Sequence, residues 1–370
     1  MAVSTTVQAD RDFLLDILKH SQVLKELQVD TLAREELESR LDISNATCYR
    51  YTNWLSEKGL VADSAEEVTL TPLGETITAE ITTFEETARR TLQAADEDRD
   101  LLVEVTRLAP GLQALSRRPL DRRELEERID VSESTSYRIT RSLEERGLIE
   151  KSDRAYSLTS AGTEILDAVS GFEANVRLAV RLGPVLAVLR DTDTSVDLKA
   201  FADATVTTIQ GYVHSPQNRF LELLEETETL RGLAPNDVTP FYIDDIQQHL
   251  VDGLELKAIL RPEFVAQQLA EYPDRAIEVC NSDNVTIYIH DDLWYSLVLF
   301  DDRIGIGVRD SDTGTLRSFV DTDSPAARAW AKAVYTSYKT EAVRMQRFDP
   351  IGLQQAMGDD SLIESDLFDN

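Results

Sequence analysis

The residues best suited to chemistry lie between positions 132 and 154. In the run Ser132-Glu133-Ser134-Thr135-Ser136-Tyr137-Arg138-Ile139-Thr140-Arg141, the side chains Ser134, Tyr137, Arg138 and Arg141 recur at spacings of three or four. On a helix that spacing gathers them on one face, with Ser136, Thr140 and Leu143 turned the other way. A guanidinium such as Arg138 can give two donors to the edge of a guanine. The hydroxyls of Ser134 and Thr135 would sit in the first turn, and Arg141 a turn further on. Lys151 and Arg154 flank a polar tip, Ser152-Asp153, between two short apolar runs. Cations there suit phosphates, which position a protein on a duplex, rather than bases, which specify it. Together these groups suit recognition of DNA, not catalysis.

The same pattern stands 88 residues earlier without a gap. Leu37-Glu38-Ser39-Arg40-Leu41-Asp42-Ile43-Ser44-Asn45-Ala46-Thr47-Cys48-Tyr49-Arg50 aligns with Leu125 to Arg138, Lys58-Gly59-Leu60-Val61 with Arg146-Gly147-Leu148-Ile149, and Leu70-Thr71 with Leu158-Thr159. Between 37–74 and 125–162, 17 of 38 positions are identical. The first copy's counterpart face carries Asn45, Thr47, Tyr49, Arg50 and Asn53, a possible second DNA contact.

The elements that must hold these faces follow from local signals. A short helix (35–41; 123–129) ends at an Asp-Ile or Asp-Val step. Ser44 and Ser132 then stand where a side-chain oxygen caps a second helix. Cys48, Thr52 and Leu55 form its inner face, as Ser136, Thr140 and Leu143 do in the other copy. Gly59 and Gly147 suit the left-handed stop after that helix. Two short strands follow, across 60–70 and 148–158. This order resembles a winged helix-turn-helix, whose second helix enters a major groove.

Charge separates the copies. Residues 107–154 hold 11 basic and 10 acidic side chains, net +1, whereas 19–66 hold six and nine, net −3. The first hairpin tip is acidic (Asp63, Glu66, Glu67). Because phosphate contacts supply most affinity for duplex DNA, the second copy is the expected reader. The first is open between DNA contact and a role in packing or dimerisation.

The C-terminal half has another texture. Long apolar-periodic helices follow each copy (76–95 and about 163–182), of the kind that pack or dimerise. Beyond Val196, segments rich in β-branched and aromatic residues predict strands at 255–260, 276–280, 285–290, 294–300, 303–309 and 315–320. Helices are predicted at 218–228, 242–253, 262–271 and 325–344. The expected class is α+β: tandem winged helix-turn-helix modules, mostly α with β-hairpin wings, before an α+β domain with a largely antiparallel sheet. The boundaries are 10–95, 98–182, 183–345 and an acidic disordered tail, 346–370.

Several stretches are similar to haloarchaeal winged-helix transcriptional regulators whose C-terminal part is named after the middle domain of a methanogenesis regulatory protein. They are Val196-Asp197-Leu198-Lys199-Ala200-Phe201-Ala202-Asp203-Ala204-Thr205-Val206-Thr207, Phe220-Leu221-Glu222-Leu223-Leu224, Leu299-Phe300-Asp301-Asp302-Arg303-Ile304-Gly305-Ile306-Gly307 and Val320-Asp321-Thr322-Asp323-Ser324-Pro325-Ala326-Ala327-Arg328-Ala329-Trp330-Ala331. The resemblance spans roughly 100–345. It implies a transcription regulator whose C-terminal domain senses an effector or dimerises, and it supplies no ligand. One winged helix is the family pattern, so the N-terminal copy departs from it.

Composition bounds the remainder. The chain of 370 residues has 38 basic and 68 acidic side chains, net −30, with only eight lysines. Such a surface suits concentrated salt, where screening removes self-repulsion. Cys48 and Cys280, one read in a helix core and one in a strand, make no disulfide framework. No apolar run is long enough for a membrane helix and no leader pattern opens the chain, so a cytoplasmic protein is expected. No cofactor, metal or catalytic constellation is expected. Gly305-Ile306-Gly307 has no helix behind it and reads as a close-packed strand, while His290-Asp291-Asp292 reads as a strand end running into an acidic turn. Expected partners are double-stranded DNA, a second copy of the chain and a possible small effector, with no membrane. The alternative is a winged-helix adaptor that binds proteins through its acidic surface.

Overall fold

The structure, a computed structural model, describes residues 10–64, 67–94, 100–190, 194, 196–209, 214–234, 240–310 and 315–345. The expected tail, part of the first hairpin tip and the turn at 312–314 lie outside the described residues. The chain divides into two compact units, Met1–Gly183 and Pro184–Asn370.

The first unit holds both sequence repeats. The first copy runs α1 (Arg11–Lys19), α2 (Ser21–Val29), α3 (Arg34–Leu41), α4 (Asn45–Glu57), β1 (Val61–Asp63), β2 (Val68–Leu70) and α5 (Pro72–Leu92). The second runs α6 (Leu101–Leu115), β3 (Leu120–Asp121), α7 (Arg122–Ile129), α8 (Glu133–Glu145), β4 (Ile149–Ser152), β5 (Ala155–Leu158) and α9 (Ser160–Leu182). The turn before each second helix is made by Asp42 and Asp130, both at φ 53, a left-handed backbone that aspartate tolerates better than most side chains. Ser44 Oγ accepts the Thr47 amide and Ser132 Oγ the Thr135 amide, each at 3.3 Å, so the two predicted caps are formed. The stop is a Schellman motif in both copies. Gly59, at φ 71, donates to Ser56 O and Leu60 to Leu55 O; Gly147, at φ 67, donates to Glu144 O and Leu148 to Leu143 O. A Cβ at Gly74 or Gly162 would stand 1.9 Å from the carbonyl oxygen of Leu60 or Leu148. Only glycine lets the long helix start so close beneath its hairpin.

The two copies share one core, and equivalent residues meet across it. Phe84 stacks on Phe172, 88 positions later, with centroids 5.0 Å apart and planes 20° apart. Helix α5 lies against α9, and α1 against α6. Contact of like with like is isologous packing, the geometry of a C2 dimer, here inside one polypeptide. The long helices predicted to pack or dimerise pack on each other.

The second unit contains α10 (Leu186–Arg190), β6 (Thr205–Thr208), α11 (Ser215–Leu224), β7 (Thr229–Ala234), α12 (Pro240–Val251), β8 (Glu255–Leu260), α13 (Pro262–Glu271), α14 (Pro273–Asn281), β9 (Val285–Ile289), β10 (Ser296–Leu299), β11 (Ile304–Arg309), β12 (Leu316–Thr322), α15 (Pro325–Glu341) and β13 (Val343–Arg344). They build an eight-stranded sheet in the order β13-β9-β8-β7-β10-β11-β12-β6. All neighbours run antiparallel except β7-β8 and β8-β9, so the α+β class with a largely antiparallel sheet holds. Strands β6 and β7 fall outside the predicted strands, and the predicted helix 325–344 is corrected at its end: it stops at Glu341, and Val343-Arg344 form β13 by pairing with Ile289 and Tyr288.

One predicted strand is corrected: residues 276–280 are helical, within α14, and Cys280 sits on that helix rather than on a strand. Pro273 occupies its first turn with Asp274 beside it, a helix start that fixes φ and complements the dipole. The β-branched Ile277 and Val279 were the misleading signal. Gly305 is in a strand, as expected; a Cβ there would stand 2.2 Å from the Phe319 ring. Asp321, fully buried, is clamped by Arg219 at 2.9 and 3.0 Å and by Arg303 at 2.7 and 3.0 Å, tying α11 and the β10–β11 turn to β12.

Candidate nucleic-acid interface

Helix α8 presents the face that the sequence assigns to DNA. Its inner residues Ser136, Thr140 and Leu143 are buried, which fixes the rotation of the helix. Ser134, Tyr137, Arg138 and Arg141 are therefore exposed, and Thr135 is partly buried. The hydroxyls of Ser134 and Thr135 lie 3.1 and 3.0 Å from Ser132 Oγ, forming one small polar cluster at the helix start.

Ion pairs divide the arginines of this face. Glu145 takes Arg141 Nε at 2.8 Å, and that bond raises the Arg141 pKa above its ordinary value. Glu133 reaches Arg122 Nη2 at 3.3 Å. The two carboxylates that could have neutralised Arg138 are thus engaged elsewhere, and among the described residues Arg138 has no ion-pair partner. Both Arg141 and Glu145 are more than half exposed. An exposed pair of this kind contributes about 0–1 kcal/mol, so a phosphate can displace Glu145.

Arg122 escaped the sequence reading. Its guanidinium lies 5.3 Å from the centre of the Tyr137 ring, holding an aromatic that is otherwise 51% exposed. The first copy repeats the contact, with Arg34 5.5 Å from the Tyr49 ring. A signal was present: Arg34 and Arg122 obey the same 88-residue offset as the two tyrosines.

The wing of the second copy is a tight hairpin in which Ser152 pairs with Ala155 and Lys151 with Tyr156. Asp153 takes a left-handed backbone at φ 54, and Lys151 and Arg154 are both exposed. Lys151 Nζ stands 5.2 Å from the buried Tyr156 ring, a cation–π contact that limits its wandering.

In the first copy Asn45, Tyr49, Arg50 and Asn53 are exposed and Thr47 is partly buried. Its polar groups are more committed. Asn45 donates to Glu38 at 2.6 Å, Asn53 to Glu57 at 2.8 Å, and Arg50 lies 5.4 Å from the Tyr51 ring. On the wing, Asp63 binds Arg34 at 2.6 Å and raises the Arg34 pKa. The carboxylates around this face would repel phosphate.

Among the described residues no helix is long and apolar enough to cross a membrane, and no group of three or more His, Cys, Asp or Glu could hold a metal.

Comparison with known proteins supplies a family context. Residues 8–93 and 96–181 each match the model described as the HVO_A0261 N-terminal domain. Residues 213–341 match that of the methanogenesis regulatory protein FilR1, middle domain. Among curated proteins none matches the chain. Three solved structures are similar in part. One is TrmBL2, described as an archaeal chromatin protein with a novel mode of DNA binding, at 15% identity over 69% of this chain and 99% of that one, TM-score 0.31. NucT from Helicobacter pylori is 10% identical over 38% of this chain and 97% of that one, TM-score 0.32. Nuc from Salmonella typhimurium, a phospholipase D family member, is 10% identical over 39% and 99%, TM-score 0.32. Likeness at these scores is weak. On the sequence matches, the chain joins two domains of the HVO_A0261 N-terminal family to one of the regulatory-protein FilR1 middle-domain family.

Proposed function

We propose that this protein is a DNA-binding transcription regulator that reads a promoter operator with its second winged helix. Helix α8 enters the major groove; Arg138 reads a base, assisted by Ser134, Thr135 and Tyr137, while Arg141, Lys151 and Arg154 hold phosphates. The observation that carries the reading is the exposed Arg138, without an ion-pair partner among the described residues, in a segment of net +1 within a chain of net −30. The first module, its Asn45 and Asn53 tied to carboxylates, serves as the packing partner; contact through Thr47, Tyr49 or Arg50 is the rival role. The second unit senses an effector or joins two copies into a homodimer, and the protein works in a salt-rich cytoplasm.

A mobility shift with the protein's own upstream DNA tests this. Arg138→Ala is expected to lose about 1–3 kcal/mol of discrimination between specific and scrambled DNA. Arg154→Ala should weaken both DNAs alike. If Arg50→Ala abolishes specific binding while Arg138→Ala leaves it intact, the first module is the reader. No specific shift at micromolar wild-type protein would favour the protein-binding adaptor.

A further inference from the structure

The C-terminal sheet carries a recess of about 360 Å3 where β7 and the β10–β11 turn meet the start of α15. Strand alternation decides which residues reach it. Leu230 turns into the apolar core, so Thr229 and Arg231 turn the opposite way, into the recess. Pro325, Arg328 and Lys332, at helical spacings of three and four, bring one side of α15 to it. A volume of this size lies at the small end of ligand sites.

The wall is basic in a chain that is not. It holds Arg231, Arg303, Arg328 and Lys332 against one carboxylate, Asp301, where the whole chain has 38 basic residues against 68 acidic ones. Arg303 is already engaged by Asp321 and Asp323, at 2.7 and 3.3 Å. Among the described residues the other three cations have no ion-pair partner. Arg328 gives one Nη2 bond to the carbonyl oxygen of Asp301 at 3.0 Å, a bond that does not neutralise it. The Asp301 carboxylate accepts the amides of Glu228 and Thr229, at 2.7 and 3.2 Å. Glu255, which also feels the charge of Arg231, is bonded to Lys257 at 2.7 Å. Pro325, in the first turn of α15, puts the positive end of the helix dipole at the same place. Arg231 is half-buried, and there a guanidinium holds an anion more strongly than it would in water.

We propose that this recess binds a phosphate dianion, carried by a small ester of about the size of a sugar phosphate. A phosphate monoester bears a charge of about −1.5 to −2 and three acceptor oxygens, one for each of Arg231, Arg328 and Lys332. A monocarboxylate brings a single charge to three cations, and a neutral sugar brings none. A duplex phosphodiester is also singly charged and sits on a rod too broad to enter. The assignment rests on the reading of the second unit as a sensor and gives that sensor a ligand class.

The test uses the full chain without DNA, so its failure and a failed mobility shift are separate results. Glucose 6-phosphate, inorganic phosphate, glucose and citrate are titrated by calorimetry in molar potassium chloride, where attraction between exposed charges is screened within about 3 Å. Glucose 6-phosphate should bind saturably at one site, citrate about tenfold more weakly or worse, and glucose not at all. Inorganic phosphate distinguishes the sources of the group. Equal affinity identifies the free ion and weaker binding the ester, and either result keeps the proposal. Arg231→Gln and the exposed Lys332→Gln should each weaken binding about tenfold, the loss of one hydrogen bond to a charged group. Lys339→Gln, an equal loss of charge two turns along the same helix and outside the recess, should leave binding unchanged. The proposal is overturned if glucose 6-phosphate shows no saturable binding, or if citrate or glucose binds as tightly. It is equally overturned if a folded Arg231→Gln or Lys332→Gln variant binds like the wild type, or if Lys339→Gln weakens binding as much as they do.

Discussion

At the scale of single residues, the exposed face of α8 is decided by which carboxylate each arginine meets. Arg141 and Arg122 are engaged by Glu145 and Glu133, and among the described residues Arg138 has no ion-pair partner. His20 shows the same reasoning applied to stability. Its ring stacks on Trp54 at 4.7 Å and meets Tyr51 edge-on at 4.6 Å, and burial holds its pKa below the ordinary 6.5. Below pH 6.5 the unfolded chain takes a proton that folded His20 refuses, so stability falls as pH falls through that window. Above 6.5 both forms are neutral and the group contributes no slope. An NMR titration should find the His20 ring still neutral somewhat below pH 6.5, with His20→Phe removing part of the acid destabilisation. A titration midpoint above 6.5 would contradict it.

At the scale of elements, the contact between α5 and α9 makes two modules one cooperative body. Phe84→Ala and Phe172→Ala should each cost about 3–5 kcal/mol, the usual range for a core phenylalanine. Each should lower one shared calorimetric transition rather than melt its own module. Separate transitions for the two copies would refute the shared core. The modules were legible because their signals are local and doubled: Ser44 and Ser132 cap, Asp42 and Asp130 turn, Gly59 and Gly147 stop. The parallel centre of the sheet was not legible, because β7, β8 and β9 are brought together by crossover helices over long sequence separations. Residues 276–280 misled because Ile277 and Val279 favour strands locally, while Pro273 and the packing of α14 on β9 favour the helix. Helix rotation in the site could be read from apolar spacing. The Glu133–Arg122 pair could not, since it joins neighbouring helices whose approach no local pattern specifies.

At the scale of the whole molecule, charge and assembly decide behaviour. Net −30 repels DNA at long range until salt shortens the Debye length, to about 3 Å at 1 M. Affinity should therefore hold steady or rise with salt, against the steep fall that counterion release normally imposes. A conventional negative slope up to molar salt would show that the basic contacts of the second module dominate. If the second unit joins two copies, light scattering in high salt should return twice 41.5 kDa; a mass of 41.5 kDa would rule the homodimer out. Two identical copies would set their recognition helices about 34–36 Å apart, one turn of DNA, on a palindromic site. The stacking of Phe84 on Phe172 has a further consequence. Two winged helices fastened in one polypeptide stay paired at any dilution, so their partnership is independent of how much protein a cell makes. Each is also encoded by its own stretch of the gene, so a mutation in one leaves its twin unaltered. One twin is then free to gather acidic residues while the other keeps its arginines, a division of labour closed to a dimer of identical chains.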